Sequence, residues 1–570
     1  MISCFILSPE TRNDFSKYVN ATVDIPHQDP SFSTIYLPSR LASHQETSLI
    51  RVALESSIQI LSYPMKIILH TLLACTSLLH ALDWPQASGA GGNFQTPESG
   101  PTKWSVALDQ NIAWKITLPE TGQSTPVVSN GKVFFTTLKP FESDAEIGKD
   151  IIAWCCDAST GKVLWKKGII GKHPLKLSGC FSDSSAPPAV TDGEHVVFTN
   201  ASSGVACFTL DGEPVWKQEF FTVGRGLPFL HDGTIVFTRQ IYTPEPNGKF
   251  PHKYANAPKE MWTQLQALDL KTGKIVWTTE CGINMGVSVT PQKLNDGRKV
   301  VVTGRGGGHG PPEKPHGISL VDLDNGKTLW TLPLEKFNAT MSFGIRNDQV
   351  HFFHGQNHLS VDTATGKIAK QVSIIKDVPV CAWNKGGRKT ETKTLKKTGS
   401  RNITQTSNLL VGRWNYFRHY KQPLLGRVNI DTHTVEYLEL PLQLSRAPGE
   451  DDQLLWFDVA KKKIENQTIV PNDMKNSRGL VVFGDKRSKG SGWGHVAAPS
   501  PSVAGDHLYV PVMNGTIYVI NWKAKTLDEN ALVAINDLGL AGKSYSRASL
   551  SFANGKAYAH TIQELICIGK

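Results

Sequence analysis

Short apolar runs separated by turn residues recur along most of the chain. The first clear unit begins at Ser124 and ends at Trp165, and it contains four such runs. Asn130-Gly131 joins the first two runs, and Gly161 stands between the last two. Short apolar runs joined by Asn-Gly or similar residues are typical of antiparallel hairpins. The unit therefore predicts one four-stranded antiparallel sheet.

The second half of the unit carries a motif in which Asp and Trp are eight residues apart, with Gly between them. The Asp can bind turn amides, the Gly can adopt positive φ, and the Trp offers a large surface to the neighbouring sheet. We therefore predict a structural role for the nine residues of the three full copies: Asp157, Gly161, Trp165, Asp269, Gly273, Trp277, Asp322, Gly326 and Trp330.

Eight units of this kind follow one another, and their order predicts a closed ring. The last unit, near 545–570, has only three runs, whereas an unassigned run stands at 112–118. Donating that run to the last sheet completes four strands and removes an exposed edge. We predict an all-β fold over 112–570: an eight-bladed β-propeller of four-stranded antiparallel blades, closed by an N-terminal strand. Irregular insertions are expected at about 384–404 and 446–497.

The first 81 residues lack the repeat. Met65 and Lys66 precede an apolar run of about 13 residues that ends at the small Ala81, as in a secretory signal peptide, and the run is too short to span a bilayer. We predict a signal peptide at 65–81 and a lead-in segment at 82–111. Residues 1–64 are interpreted as a gene-model extension or disordered chain, with a genuine extension as the alternative.

Export to the periplasm or the medium follows from that signal. Cys75 resembles a lipoprotein cleavage site, but it lies only ten residues after Met65, so a lipid anchor is the less favoured reading. No transmembrane span is predicted. Seven cysteines follow Ala81, an odd number without zinc-site spacing, and we predict no metal site. His351, His354 and His358 are not expected to converge on a metal, because strand geometry should separate them.

Composition and charge narrow the class of partner. Hydrophobic residues make up 40% of the 570 residues and charged residues 19%, which indicates a folded chain without long charged helices. Much of the net charge of +10 lies in 385–397 and 461–463. These basic runs could meet an envelope protein or a polysaccharide, or be solvated loops. There is no nucleic-acid motif.

Loop lengths indicate where ligands would bind. The first and third connections of most units are tight turns, whereas the second connections are predicted to be mostly long. Binding residues concentrate on irregular loops of a rigid scaffold, so we expect function on the long-loop face and at the channel mouth. The candidates there are Trp493, His495, Arg225, Arg547, Asn284, Asp183 and Ser124, with Gln123, Ser184, Ser546, Arg305 and His309 as further positions.

The repeat pattern of 267–277 resembles that of quinoprotein alcohol dehydrogenase-like propellers. The whole of 112–570 is similar in organisation to the secreted bacterial pyrroloquinoline quinone (PQQ) repeat proteins. That family includes calcium- and quinone-dependent dehydrogenases, and also non-catalytic propellers such as the outer-membrane-protein assembly lipoprotein. The dehydrogenases imply a disulfide between adjacent cysteines, a calcium-binding Glu and Asn, and a catalytic Asp.

The residues match only part of that set. Cys155 and Cys156 are adjacent, but successive strand residues point to opposite sides, which opposes a bond between them. The calcium ligands and the catalytic Asp cannot be assigned by motif. We therefore expect an exported binding or assembly scaffold, with no catalytic residue assigned and no cofactor. A PQQ- and calcium-dependent dehydrogenase of alcohols or sugars is the alternative, and a carbohydrate-binding propeller is the second alternative.

Overall fold

A computed structural model describes the chain from the lead-in segment onward. The described residues are 83–141, 148–173, 183–220, 226–240, 258–259, 262–283, 289–306, 314–337, 342–384, 387–397, 404, 408–419, 422–443, 456–457, 499–540 and 544–570. Strands account for nearly all of their regular structure, together with a 3-10 turn at Glu529–Ala531. The predicted extension and signal peptide, 1–81, lie outside the described residues.

The described strands form the eight antiparallel blades of a β-propeller, numbered here along the chain. The first four follow the predicted units. Blade 1 contains Val127–Ser129, Lys132–Leu138, Ile151–Asp157 and Val163–Ile169. Blade 2 contains Val190–Thr191, His195–Asn200, Gly204–Thr209 and Pro214–Gln218. Blade 3 contains Phe229–His231, Thr234–Arg239, Gln264–Asp269 and Ile275–Thr278. Blade 4 contains Pro291–Lys293, Lys299–Arg305, Gly317–Asp322 and Thr328–Pro333.

The second half of the ring confirms the predicted closure. Blade 5 contains Gly344–Arg346, Gln349–His354, Asn357–Asp362 and Ile368–Ser373. Blade 6 contains Asn408–Val411, Trp414–Arg418, Leu424–Asn429 and Val435–Glu439. Blade 7 contains Ser502–Ala504, His507–Pro511, Thr516–Asn521 and Leu532–Asp537. Blade 8 contains Ser551–Ala553, Lys556–His560, Glu564–Ile568 and, as its outer strand, the N-terminal Ile112–Thr117.

Burial separates the inner strands from the outer ones. Inner strands such as Val127–Ser129 are buried throughout, and the inner strands of neighbouring blades contact one another. Outer strands such as Val163–Ile169 alternate between exposed and half-buried residues. The apolar core therefore lies between the blades, where each sheet packs against the next.

Contacts between blades explain why the spacing of the Asp-Gly-Trp motif repeats along the chain. The ring of each outer-strand Trp lies against the turn Gly of the following blade; a Cβ added at Gly161 would come within 2.7 Å of Trp114. The same pairing joins Trp277 to Gly326. Four of the indole Nε1 atoms also donate to a carbonyl in the next blade: Trp114 to Ala158 at 3.1 Å, Trp165 to Leu210 at 2.9 Å, Trp216 to Leu270 at 2.7 Å, and Trp330 to Thr363 at 2.7 Å.

The motif's Asp binds the backbone and hydroxyl groups of its own turn. Asp157 Oδ1 accepts hydrogen bonds from the amides of Ser159 and Thr160, at 3.0 and 2.8 Å, and from both hydroxyls. These bonds lower the pKa of Asp157 to about 2. Asp269 Oδ1 binds the amide of Thr272 in the same way, at 2.8 Å.

Blades that lack the motif are joined by other groups. Between blades 6 and 7 the buried Arg427 donates to the carbonyls of Ala524 and Lys525, at 2.9 and 3.1 Å. Its guanidinium also binds Glu436 at 3.1 Å and lies over the Trp414 ring, 3.7 Å from the centroid. Arg427 thus reaches the turn of the next blade, as the Trp residues do elsewhere.

The structure differs from the sequence prediction in its two insertions and in the lengths of the second connections. In place of an irregular insertion at 384–404, Val378–Asn384 and Gly387–Lys393 form a hairpin, and its first strand pairs in parallel with the outer strand of blade 6. Within 446–497, only Trp456–Phe457 is described, and it pairs with Leu442–Gln443. Second connections are long in blades 1, 3 and 4, but blades 2 and 5 turn within a few residues. Long segments on that face also come from the connections between blades.

Candidate functional site

The lead-in segment runs along the inside of the ring, starting at blades 1 and 2. The backbone of Trp84 pairs with Val128 through two hydrogen bonds of 2.8 and 3.0 Å. The carbonyl of Pro85 accepts from Thr191 at 2.9 Å. Both partners lie on inner strands, immediately before the first tight turn of their blade. The lead-in therefore begins at the short-turn end of the channel axis.

The same segment continues past the remaining inner strands. Gln86 Oε1 accepts from the amide of Leu230 in blade 3 at 2.8 Å, and Gln95 Nε2 donates to Leu410 in blade 6 at 3.0 Å. Gln95–Thr96 then forms a parallel strand beside the inner strand of blade 7. Through these contacts the lead-in lines the short-turn end of the axis, and none of them lies at the long-loop end.

At the long-loop end, short polar side chains precede several inner strands, and most serve the fold. Ser124 is fully buried, and its hydroxyl accepts from the amide of Thr136 at 2.9 Å. Ser184 donates to Gly148 at 2.6 Å, and Ser546 donates to His560 at 2.8 Å. The predicted ligand-binding role of Ser124 would require exchange of an internal hydrogen bond.

Asp183 differs from these serines because one of its oxygens is unused. Its side chain is fully buried; Oδ1 accepts from the amide and the hydroxyl of Ser185, at 2.8 and 2.6 Å. Oδ2 has no hydrogen-bond partner among the described residues. Burial raises the pKa of Asp183, Arg547 opposes that rise, and Glu120 adds to it. A buried carboxylate oxygen without a donor is costly, so it is an available acceptor for a ligand.

Arg547 and Gln123 complete the group around Asp183. Arg547 interacts electrostatically with Asp183 and donates a hydrogen bond from Nη1 to Gln123 Oε1. Blades 8, 1 and 2 each contribute one of these three residues, just before the inner strand begins. The structure thus brings together two of the predicted ligand residues, Asp183 and Arg547. We refer to Gln123, Asp183 and Arg547 as the acid–guanidinium group.

The other predicted positions are divided between structural residues and undescribed chain. Arg305 is buried, and its guanidinium donates to the carbonyls of Pro315, at 2.9 Å, and Lys314. These bonds hold the described end of its own loop. Five candidates lie outside the described residues: Arg225, Asn284, His309, Trp493 and His495.

The three histidines of blade 5 correct one expectation. The rings of His351 and His358 are not separated by the strands; they stack with centroids 5.5 Å apart. Their nitrogens are partly engaged, with His351 Nδ1 3.1 Å from Ser360 Oγ and His358 Nε2 3.3 Å from Asn415 Nδ2. Burial lowers the pKa of His351 to about 4 and that of His358 to about 3, which favours the neutral form of both rings.

A polar cluster that sequence reasoning missed joins blades 3 and 4 at the short-turn face. His231 Nε2 lies 3.0 Å from Asp324 Oδ1, and Asp232 lies close enough for the three to share a cation. However, Lys299 Nζ already binds both oxygens of Asp232 at 2.5 Å. The lysine supplies the positive charge, and the cluster is an ion-pair network between turns. The Asp232-Gly233 hairpin was its only sequence signal.

The residues that the structure describes do not fit the cofactor set of the quinone dehydrogenases. Cys155 and Cys156 are both free and buried, and they pack into two different hydrophobic clusters on opposite sides of one strand. They therefore supply no disulfide beside a quinone. Among the described residues, no three potential metal ligands converge at the long-loop end, where the acid–guanidinium group instead carries an arginine.

Comparisons with known proteins agree with the fold. Residues 148–382 match the family described as Outer membrane protein assembly factor BamB. The resemblance to PQQ-repeat propellers drawn from the repeats is confirmed by that match. None of the curated proteins compared matches the sequence. No helix in the described part of the chain has the length and apolar character needed to cross a membrane.

Three solved structures illustrate the range of similar propellers. Quinohemoprotein alcohol dehydrogenase from Comamonas testosteroni is 12% identical over 86% of this chain and 81% of its own, with a TM-score of 0.47. A europium-containing methanol dehydrogenase is 11% identical over 86% and 98%, with a TM-score of 0.46. BamB from Moraxella catarrhalis is 13% identical over 67% and 93%, with a TM-score of 0.35.

Proposed function

We propose that the protein is an exported binding or assembly scaffold whose ligand face is the long-loop end of the ring. The observation that carries this proposal is Oδ2 of the fully buried Asp183, which has no hydrogen-bond partner among the described residues and interacts electrostatically with Arg547. The lead-in lies along the opposite, short-turn end of the axis, so access from the long-loop end is the simpler route. Family kinship with an outer-membrane assembly factor supports a partner in the cell envelope.

The chemistry of the acid–guanidinium group defines what it would recognise. Asp183 Oδ2 can accept a hydrogen bond from an N–H or O–H group, while the guanidinium of Arg547 can donate to an adjacent carbonyl or anion. A peptide segment of an envelope protein presents both kinds of group, and so does a polysaccharide. The envelope protein is the favoured partner, and carbohydrate binding is the alternative.

Site-specific photo-crosslinking in cells that produce the full chain tests this proposal. Lys139 lies exposed at the long-loop face, at the end of the second strand of blade 1, and Lys162 lies exposed in the short turn of the same blade. A photoreactive residue at 139 should give a discrete protein adduct, whereas the same residue at 162 should not. Asp183→Asn should weaken the adduct at 139 without lowering the unfolding midpoint, because asparagine keeps the Oδ1 acceptor for Ser185 and changes only the other oxygen.

Three results would count against the scaffold. Adducts of equal yield at positions 139 and 162 would contradict the assignment of the long-loop face as the ligand face. Retention of quinone after gel filtration with calcium, together with alcohol-dependent dye reduction, would establish the dehydrogenase instead. A mature N-terminus upstream of Met65 would contradict the proposed signal peptide and with it the proposed export.

A further inference from the structure

A separate cavity lies at the axis on the other side of the ring from the acid–guanidinium group. It has a volume of about 190 Å³, is partly open to solvent, and is lined by the lead-in at 93–95 and by residues at the inner strands of blades 4, 5 and 6. Typical sites for drug-sized ligands measure roughly 300–1,000 Å³. This cavity therefore suits a smaller molecule, of about the size of one sugar ring.

An orphaned amide marks the wall of this cavity. Asn408 begins the inner strand of blade 6, lines the cavity and is only 2% exposed. Its Nδ2 has no hydrogen-bond partner among the described residues. Buried side-chain amides are almost always hydrogen-bonded, because an unmet donor costs free energy. A bound molecule that offers an acceptor would satisfy it.

A single cation faces the same space. Arg346 ends the inner strand of blade 5, and it is the only charged residue among the fourteen described residues that line the cavity. Its guanidinium forms no ion pair with a described residue. The nearby Asp348 is already bound to Asn295, at 3.0 Å from the amide and 2.8 Å from Nδ2. The described wall of the cavity therefore has one positive charge, on the solvent-exposed Arg346, and no negative charge.

The remaining wall combines neutral hydrogen-bonding groups with aromatic surface. Amides and hydroxyls come from residues such as Gln292 and Thr290, and the apolar surface comes from Phe94 and Phe343. Neutral amides and hydroxyls suit a ligand with several hydroxyl groups, aromatic rings suit the C–H faces of a sugar, and the guanidinium suits a carboxylate. The described lining residues include no carboxylate that would repel an anion.

We propose that this axial cavity binds a hydroxylated carboxylate of monosaccharide size, that is, a sugar acid. Asn408 Nδ2 donates to a ring or hydroxyl oxygen, and Arg346 binds the carboxylate. The site is distinct from the acid–guanidinium group and does not depend on the scaffold function proposed above.

Isothermal titration calorimetry of the full chain with glucuronate and with glucose tests the assignment. Glucuronate should bind saturably, and more tightly than glucose, because only glucuronate uses Arg346. Arg346→Gln should weaken glucuronate binding about tenfold, the effect of losing a hydrogen bond to a charged group, and leave glucose unchanged. Asn408→Leu should abolish binding of both sugars. Arg413→Gln, which changes an exposed arginine outside the cavity wall, serves as the matched control.

The outcomes are decisive in both directions. The site would be supported if Arg346→Gln no longer preferred glucuronate to glucose while Arg413→Gln bound both normally. This comparison holds even if circular dichroism shows that Asn408→Leu does not fold. If neither sugar gave a saturable heat of binding at millimolar concentration, the proposal would be overturned, and water would be the expected content of the cavity. Equal affinity of the wild type and Arg346→Gln for glucuronate would also overturn it.

Discussion

Replacing Gly161 with alanine should loosen the junction where the ring closes. Gly161 has φ +73°, and Gly131, in the first turn of the same blade, has φ +70°. Forcing an L-residue into this left-handed region costs roughly 1–2 kcal/mol at either position. A Cβ at Gly131 would meet no atom within 4 Å, whereas at Gly161 it would lie 2.7 Å from Trp114 Cε3. Overpacking of a tight contact costs a further 1–3 kcal/mol or so.

We therefore expect Gly131→Ala to lower the free energy of unfolding by about 1–2 kcal/mol and Gly161→Ala by about 2–5 kcal/mol. Urea unfolding followed by tryptophan fluorescence measures both. A ring of this size need not unfold in one step, so the two variants must be compared in the same transition.

A double-mutant cycle isolates the contact itself. Trp114→Leu leaves space above the turn, so the added cost of Gly161→Ala should shrink in that background. Equal losses for Gly131→Ala and Gly161→Ala, or an undiminished loss in the Trp114→Leu background, would refute the packing argument and leave backbone strain as the whole effect.

Three further predictions concern other parts of the ring. Arg427→Met should destabilise the protein by about 3–5 kcal/mol, because it leaves the carbonyls of Ala524 and Lys525 without their donor and removes the ion pair with the half-buried Glu436; thermal unfolding measures this. Hydrogen bonds lower the pKa of Asp157 to about 2 and also lower that of Asp269, so their contribution is fully present above pH 4 or so and is lost as the pH falls toward 2. The stability gap between wild type and Asp157→Asn should therefore narrow between pH 7 and pH 3. Burial raises the pKa values of Cys155 and Cys156 to about 12, so iodoacetamide at pH 8 should label them only after unfolding, as mapped by mass spectrometry.

The Arg427 prediction has a matched control, and each of the three has an outcome that would contradict it. Arg298, in an exposed ion pair with Asp296, should tolerate replacement by methionine with a loss below about 1 kcal/mol. A comparable loss at Arg427 would contradict the junction role. If the difference in stability between wild type and Asp157→Asn stayed constant from pH 7 to pH 3, ionisation of Asp157 could not be its source. Rapid labelling of Cys155 in the folded protein would contradict its burial.

The repeat made most of the fold predictable, because its signals are local. Asn130-Gly131 and Asp157 through Gly161 each fix a turn within a few residues. The apolar run at 112–118 belonged to no other predicted blade, so it was assigned to the incomplete last one. The hairpin that includes Gly387–Lys393 gave no such signal, because its polar strand has no alternation. It forms by pairing with blade 6, which sequence periodicity cannot show.

The candidate site was only partly predictable, for a related reason. Asp183 and Arg547 were found because both precede an inner strand, which is a property of position along the chain. That one oxygen of Asp183 finds no partner among the described residues depends on Ser185 binding the other oxygen and on burial by neighbouring blades. The axial cavity depends on the lead-in contacting distant strands, as in the bond between Gln95 and Leu410, 315 residues apart.

Closure by the N-terminal strand also has a kinetic consequence. Asn111, which precedes that strand, binds Lys570 across 459 residues, and blade 8 cannot be completed until the last strand has been synthesised. Joining ends that far apart costs about 5 kcal/mol of chain entropy, which the earlier blades reduce by shortening the effective loop. The closing step should therefore come last in folding. Until it does, Glu564–Ile568 has an open edge that another chain could pair with, and chaperone dependence or domain exchange should concentrate there.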